Sequence, residues 1–362
     1  MKKIKQLPEK LQVPYLREKY GRNIYLGIGF DPHLFVFKNH KTWMVKEWIF
    51  ERMVEKRFGN TVRCCLYGNW RDAFAHVHHP FKRDDDKVFL LPDPKKLELD
   101  LPEEDRMAEV EKYINRRWLR RIIRNTENAI KRGITVILDF NVQWQDWGKH
   151  WLNPKNCNRD VWGTTSGEWH YYEYWDKPGG EKIRRTGLII ENFERFVRNK
   201  LQELGKKWKR RQYIVFSAGN EVIAGDFWHQ RKSNIFDVGL HRKITSIEGR
   251  VRGFYWEKPI HKYFQYAIHG IGNIGAYEEW EEELRDNRLP YSVKWLPCCD
   301  GAFSEMPKRK AIKKLVYNIL KDGNLGYELL HGKWESKDLK KWDFRSVKWL
   351  MKGFRKWRRE QG

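Results

Sequence analysis

The chain has 362 residues, with 72 lysines and arginines against 48 aspartates and glutamates, for a formal net charge of +24. This length suffices for one large hydrophobic core, so we expect a single domain over residues 1–362. A membrane span is excluded, since no window approaches the roughly 18 uninterrupted apolar residues that a span requires.

The first residues and the cysteines indicate a reduced compartment. The opening MKKIKQLPEK lacks the apolar segment of a signal peptide, and the five cysteines form no CxxC spacing. We therefore expect a cytoplasmic protein, with non-classical release as the alternative, and neither a disulfide framework nor a zinc site. No cofactor is expected.

The charge raises three anionic partners as hypotheses: nucleic acid, a membrane surface and an acidic polysaccharide. A solvated basic surface is the alternative. Nucleic acid is disfavoured because the sequence contains no P-loop, zinc finger or single-strand-binding motif and its basic residues are dispersed. No membrane partner is expected. The 19 tryptophans suit either core packing or stacking on sugar rings and bases.

Regular structure begins with a predicted strand over Asn23 to Phe30 and a helix that ends at Gly59-Asn60. The second strand covers Thr61 to Trp70. Arg63 lies inside it and needs a partner, because a buried charge is costly to leave alone.

A long rim loop is predicted over residues 71 to 101, followed by a helix from Pro102 to Gly133. The loop contains HVHH at residues 76 to 79, but no companion cluster stands at a metal-ligand spacing, so we expect no metal site. The arginine-rich face of the helix is interpreted as exposed to solvent, with nucleic-acid binding as the less favoured alternative.

The third predicted strand, Ile134 to Trp144, carries Asp139, Asn141 and Trp144 to its carboxyl end. Residues 145 to 186 form a long insertion that is rich in aromatic residues. Loops of this length in compact domains are usually functional or disordered, and the aromatic content argues against disorder. The insertion is interpreted as a wall of a saccharide cleft, or as rings that pack the loop onto the domain.

The fourth strand is the central one for function. After a helix over Leu188 to Leu204, the segment Gln212 to Val222 reads QYIVFSAGNEV, an apolar run that ends in an amide and a carboxylate. Such a run is typical of a parallel strand that is covered on both faces. Asn220 and Glu221 therefore emerge where the strand meets its loop.

The rest of the chain alternates between strands and helices. The predicted strands are Lys243 to Glu248, Tyr263 to Gly272, Tyr291 to Phe303 and Leu325 to His331, and the predicted helices are Phe227 to Leu240, Glu278 to Leu284, Lys308 to Leu320 and Phe344 to Trp357. Eight strands that alternate with helices predict a (β/α)8 TIM barrel with long loops at its carboxyl-end face.

Short motifs at the strand ends resemble those of clan A glycoside hydrolases, the cellulase-like barrels. They are VR on strand two, ILDFN on strand three, GNE on strand four and IHG on strand six. The resemblance implies a retaining hydrolase of polysaccharides or oligosaccharides with Glu221 as the acid/base. It also implies that Arg63 braces the carboxylates and that His269 lies near the nucleophile. Pairing of Arg63 with a structural carboxylate is the alternative. Further substrate contacts are expected from Asn220, Asp139, Asn141, Trp144 and Trp70.

The second carboxylate departs from the family pattern, which has a glutamate at the end of strand seven. Cys298-Cys299-Asp300-Gly301 stands there instead. Asp300 is the first candidate, and Glu328 on strand eight is the second because its longer side chain offers the same carboxylate from the next strand. Glu248 and Glu305 remain open.

Two other functions stay as alternatives. A barrel that binds saccharide without cutting it is compatible with the missing glutamate. A basic nucleic-acid-binding protein is compatible with the charge and the tryptophans. The charge also suggests a substrate with carboxylate, sulfate or phosphate groups.

Overall fold

The structure is a computed structural model, and it describes residues 4–30, 45–65, 98, 101–139, 180–217, 266–270, 294–299, 309–323, 326–330 and 344–362. Its centre is a sheet of seven strands with the order β4-β3-β2-β1-β7-β6-β5. Every pair of neighbouring strands is parallel. The strands are β1 Tyr25–Phe30, β2 Thr61–Cys65, β3 Thr135–Asp139, β4 Ile214–Ser217, β5 Tyr266–Gly270, β6 Lys294–Cys299 and β7 Gly326–Leu330.

Helices surround this sheet. They are α1 Val13–Tyr20, α2 Val45–Lys56, α3 Glu103–Tyr113, α4 Arg116–Lys131, α5 Gly180–Lys207, α6 Arg309–Lys321 and α7 Phe344–Glu360. Short 3-10 helices precede α1 and β4, at Glu9–Leu11 and Arg211–Tyr213. Within the part of the chain that the structure describes, we find no helix with the length and apolar character needed to cross a membrane.

The predicted α/β alternation is confirmed where the structure describes it. Each of β1 to β7 falls inside a predicted strand, and the predicted strand Lys243 to Glu248 lies outside the described residues. The predicted helices 227–240 and 278–284 and the loop segments 71–97 and 145–179 also lie outside them.

One predicted helix is two helices. The prediction of a continuous helix from Pro102 to Gly133 was wrong at Ile114, whose backbone is extended with φ −69° and ψ 130°. Asn115 then caps α4, because its side-chain oxygen accepts hydrogen bonds from the backbone N–H groups of Arg117 at 2.9 Å and Trp118 at 3.3 Å. Asparagine is a preferred residue at this position.

Two further boundaries differ from the prediction. Helix α5 begins at Gly180, so the last residues of the predicted insertion, 180 to 186, are helical. The basic lead-in before β1 contains α1, which has a proline in its first turn and ends at Gly21 with φ 68°. Proline at the start and glycine after the end are common helix boundaries.

The helices bury apolar residues against each other and against the sheet. In α4 and α5, Trp118 and Phe193 are fully buried with ring centroids 5.5 Å apart. Helices α6 and α7 pack closely at Gly353, where a Cβ would lie 2.6 Å from the Lys313 carbonyl oxygen. Only glycine permits this approach of the two backbones.

Residues before α1 close the amino end of the sheet. The Leu7 amide donates to the Arg132 carbonyl at 2.8 Å. Gln12 Nε2 donates to the Leu7 carbonyl at 2.6 Å, and Gln12 Oε1 accepts from the Tyr213 hydroxyl. Gly133, with φ 73°, passes beside Gln12, where a Cβ would lie 2.7 Å from Nε2. The N-terminal segment is therefore part of the fold.

Candidate functional site

The two faces of the sheet differ in polarity, and one of them meets the helices. Phe216 lies beside Arg198 of α5, with 5.2 Å between the guanidinium carbon and the ring centroid. Ile214 reaches Gly205 of the same helix. Register aligns this face with the fully buried apolar residues Leu26, Ile28, Val62, Cys64, Val136 and Leu138.

The opposite face is also buried, and beside the apolar Ile137 and Val215 it carries polar residues. Thr61 of β2 pairs with Thr135 of β3, and both are 0% exposed. Arg63, two residues further along β2, is 1% exposed and is, after Trp118, the largest fully buried side chain among the described residues. Apolar packing does not explain such a face, so it is the candidate site.

The buried guanidinium of Arg63 is the strongest chemical feature of this face. Removing a charge from water is costly unless hydrogen-bond acceptors replace the water, and Arg63 has interactions within the protein. Its register partners are Ile137 on β3 and Gly29 on β1. Gly27 and Gly29 carry no side chain on this face, and a Cβ at Gly27 would overlap the Thr61 carbonyl oxygen of β2.

Backbone register puts two predicted site positions on the same face as Arg63. Asp139 lies two residues beyond Ile137, the partner of Arg63, at the carboxyl end of β3. Glu328 pairs with Gly27, two residues before Gly29. Residues two apart on a strand share a face, and neighbouring strands lie about 4.8 Å apart. Position 328 is thus about two strand spacings from β2.

The remaining predicted residues are distributed as follows. His269 pairs with Pro297, whereas its neighbour Gly270 pairs with Cys298 and, through it, with Glu328. Position 269 therefore lies on the face opposite to the one that carries Arg63. Asp300 follows the end of β6 directly in the sequence, outside the described residues. Also outside them are Trp70, Asn141, Trp144, Asn220 and Glu221.

The described residues contain no group of three or more His, Cys, Asp or Glu side chains placed to hold a metal ion. In particular, Cys64 is a fully buried residue of the apolar face. The chemistry of the polar face is that of guanidinium, hydroxyl and carboxylate groups. Such groups suit hydrogen bonding to hydroxyl-rich or anionic ligands.

A second polar region, which the sequence did not predict, lies at the amino end of the sheet. It is a cleft of about 920 Å³ whose lining includes Gln6, Tyr15, Arg17, Glu18, Arg210 and Gln212. Burial raises the pKa of Tyr213 in its wall above the ordinary value, and the nearby Arg210 partly opposes this. The basic sequence KKWKRRQ at 206–212 was the available signal.

No protein-family model matches the sequence, and no curated protein matches it. Similar solved structures include two of a glycoside hydrolase family 5 mannosidase from Rhizomucor miehei. One, a mutant in complex with mannosyl-fructose, has 9% identity and a TM-score of 0.40, covering 86% of this chain and 82% of that chain. The other has 8% identity, a TM-score of 0.40 and the same coverage.

Proposed function

We propose that the chain is a glycoside hydrolase on a closed (β/α)8 barrel, with Glu221 as general acid/base and Asp300 as the second carboxylate. The observation that supports this proposal most is the strand order. Among the described strands, the two edges of the sheet are β4 and β5, and no other described strand lies between them in the chain. The predicted strand Lys243 to Glu248 lies between them in sequence and would close the ring.

Closure matters because it determines whether the two carboxylates can meet. In an open sheet, β4 and β6 are five strand spacings apart, about 24 Å at about 4.8 Å each. In a closed ring of eight strands they are three spacings apart along the wall and closer across it. A two-carboxylate mechanism needs about 5–5.5 Å for retention or about 6.5–9.5 Å for inversion. Only the closed ring suits either value.

The position of each carboxylate along its strand favours Asp300 over Glu328. Asp300 follows the last residue of β6, whereas Glu328 is the middle residue of β7. Active sites of (β/α)8 barrels lie at the carboxyl ends of the strands. We therefore assign Asp300 the nucleophile role and Glu328 a place deeper in the barrel, on the face of Arg63.

Arg63 would then orient carboxylates from below the reacting sugar, as a buried guanidinium can form paired hydrogen bonds. Asp139, Asn141 and Asn220 would bind sugar hydroxyls at the rim. Trp70 and Trp144 would provide flat faces for sugar rings. The role of His269 near the nucleophile remains a prediction.

The chemistry assigns each carboxylate one task in each step. Glu221 protonates the leaving glycosidic oxygen while the Asp300 carboxylate attacks the anomeric carbon to form a glycosyl ester. Glu221, now ionised, removes a proton from water, which attacks the same carbon and releases Asp300. The net charge of +24 favours a substrate that carries anionic groups.

The test is hydrolysis of a panel of neutral and anionic oligosaccharides and aryl glycosides by single variants. Glu221→Gln should lower kcat by about 10²–10⁴-fold, since it removes general acid–base catalysis. Asp300→Asn should prevent formation of the glycosyl ester and so also abolish most turnover. Glu55→Gln, an exposed change of the same type with 46% of the Glu55 side chain accessible, is the matched control.

Azide separates the two roles. With an activated aryl glycoside as substrate, azide should restore turnover by Asp300→Gly and give a glycosyl azide of inverted configuration. Azide should also restore turnover by Glu221→Ala, but the glycosyl azide should then have the retained configuration. If Glu328→Gln abolishes turnover while Asp300→Asn does not, the nucleophile is Glu328. Binding of saccharide without cleavage by the wild type would instead favour a non-catalytic saccharide-binding barrel.

A further inference from the structure

The two exposed large apolar side chains of the described residues lie on one face of the molecule. They are Ile4, with 41% of its surface exposed, and Trp208, with 37%. Gln6, two residues after Ile4, accepts a hydrogen bond from Arg210 at 3.2 Å. Two residues of extended chain span at most about 7 Å. Ile4 and Trp208 therefore flank the same contact at the amino end of the sheet.

Exposed cations surround both side chains. The basic turn, defined as Lys206 to Arg211, contains the exposed residues Lys206, Lys207, Lys209 and Arg211, and Lys5 adjoins Ile4. The acidic residues next to this surface are few. Glu203 lies 3.7 Å from Lys200, and Glu127 lies 2.9 Å from Lys131. Glu9 of the N-terminal segment and Glu18 of α1 are exposed carboxylates that line the adjoining cleft.

The fold holds Trp208 firmly in this surface. The Lys131 ammonium lies 3.8 Å from the centroid of its ring. The Arg210 amide donates to the Gly205 carbonyl at 2.8 Å and the Lys209 amide to the Lys206 carbonyl at 3.0 Å. These two bonds form a Schellman motif, which fixes the end of α5.

Lys209 occupies the position of that motif where glycine is preferred. Its φ is 54°, in the left-handed region that non-glycine residues adopt at a cost. The chain therefore carries a lysine where glycine would be the more stable choice.

We propose that the amino-end face binds the surface of an anionic membrane, with Ile4 and Trp208 entering the headgroup region and the basic turn contacting anionic headgroups. Tryptophan is favoured at the membrane–water interface, and each lysine or arginine near an anionic surface strengthens binding about fivefold. An aliphatic side chain such as Ile4 has no flat face for a nucleic acid base. It does gain from contact with lipid.

This interaction is with the membrane surface. The sequence-based expectation of no membrane partner came from the lengths of apolar runs, which concern spanning segments. Because all strands are parallel, their carboxyl ends point away from the amino-end face. A cleft at the carboxyl ends would remain open to solvent, and membrane binding does not depend on Glu221 or Asp300.

The experiment is co-sedimentation of the full chain with vesicles at low salt. One set of vesicles is pure phosphatidylcholine and the other contains about a third phosphatidylserine. We expect binding to the anionic set alone. The triple variant Lys206→Ser/Lys207→Ser/Lys209→Ser should bind about a hundredfold more weakly, and Trp208→Ala with Ile4→Ser should weaken binding at unchanged charge.

Two further variants separate this proposal from misfolding and from diffuse charge. Lys209→Gly should bind about fivefold more weakly while its midpoint of thermal unfolding rises, because glycine removes the charge and relieves the left-handed backbone. The matched control Arg117→Ser/Arg120→Ser/Arg124→Ser removes three exposed cations from α4 and should bind as the wild type does.

Three results would overturn the proposal. The first is equal binding to neutral and anionic vesicles. The second is an equal loss of binding in the α4 control, which would mean that overall charge alone is responsible. The third is binding of a single-stranded oligothymidylate through Trp208 with no vesicle binding, which would assign the face to nucleic acid.

Discussion

At the scale of single residues, Arg63 and Tyr213 are two buried polar side chains at different places in the fold. Arg63 is in the middle of β2, whereas Tyr213 immediately precedes β4 at the amino end. Both are buried, at 1% and 4% exposed. Burial disfavours a charged side chain, so Arg63 requires acceptors and Tyr213 favours its neutral form.

The raised pKa of Tyr213 predicts a dependence of stability on pH. In the unfolded chain the hydroxyl ionises near its ordinary pKa of 10.0, whereas burial raises the pKa in the folded chain. The folded state therefore binds the proton more tightly, and its contribution to stability is complete below about pH 10. That contribution is lost as pH rises from 10 through the folded pKa.

Urea unfolding at a series of pH values checks this. Above about pH 10, the free energy of unfolding should fall more steeply in the wild type than in Tyr213→Phe. At pH 7 the variant should lose about 1 kcal/mol because its hydrogen bond to Gln12 is gone. This difference at pH 7 is subtracted from the differences at higher pH, so that the titration of Tyr213 is compared alone. Parallel pH dependences would show that Tyr213 titrates alike in both states.

At the scale of elements, helix boundaries depend on local sequence signals, whereas the contacts between helices have no local signal. The break between α3 and α4 is visible in retrospect as Asn115, a capping residue placed inside a long apolar pattern. The close contact of α6 with α7 at Gly353 has no such signal. A glycine in a helix reads in sequence as a weak point.

Gly353→Ala should lower stability although alanine is the better helix former by about 1 kcal/mol. The added Cβ would lie 2.6 Å from the Lys313 carbonyl oxygen and 2.9 Å from Val316 Cβ. Overpacking of this kind typically costs about 1–3 kcal/mol. The measurement is chemical denaturation. Arg355→Ala, an exposed change on the same helix, should stay within about 0.5 kcal/mol of the wild type. A stabilised Gly353→Ala would mean that the helices separate without cost.

At the scale of the whole molecule, the parallel sheet has two edges, β4 and β5, in the part of the chain that the structure describes. An unpaired edge exposes backbone hydrogen-bonding groups. A closed barrel removes both edges at once, with one more strand between them. The proposed function depends on that strand.

Hydrogen exchange tests closure. If Lys243 to Glu248 pairs with both β4 and β5, its backbone amides should exchange slowly, like those of β3, because ladder hydrogen bonds open only with the core. Peptides over Thr135–Asp139 provide the slow reference. Complete exchange of residues 243 to 248 within seconds would rule out closure by this segment.

The sequence by itself determined the positions of the seven described strands and of most described helices, but it missed α1 and the break between α3 and α4. Burial can be predicted from short stretches of sequence. Examples are the continuous apolar run Tyr213 to Phe216 and the helical spacing of Phe193 and Val197. Polar residues at the ends of those runs predict a site at the carboxyl ends of the strands.

Only the tertiary structure decided which strands are neighbours, which residues share a face, and what closes the amino end. Arg63 and position 328 are far apart in sequence, and strand register puts them on one face beside Gly27 and Gly29. Gln6 meets Arg210 by folding alone. Local periodicity specifies which side of an element is buried, but the partner on that side is set by long-range packing, which no short stretch of sequence contains.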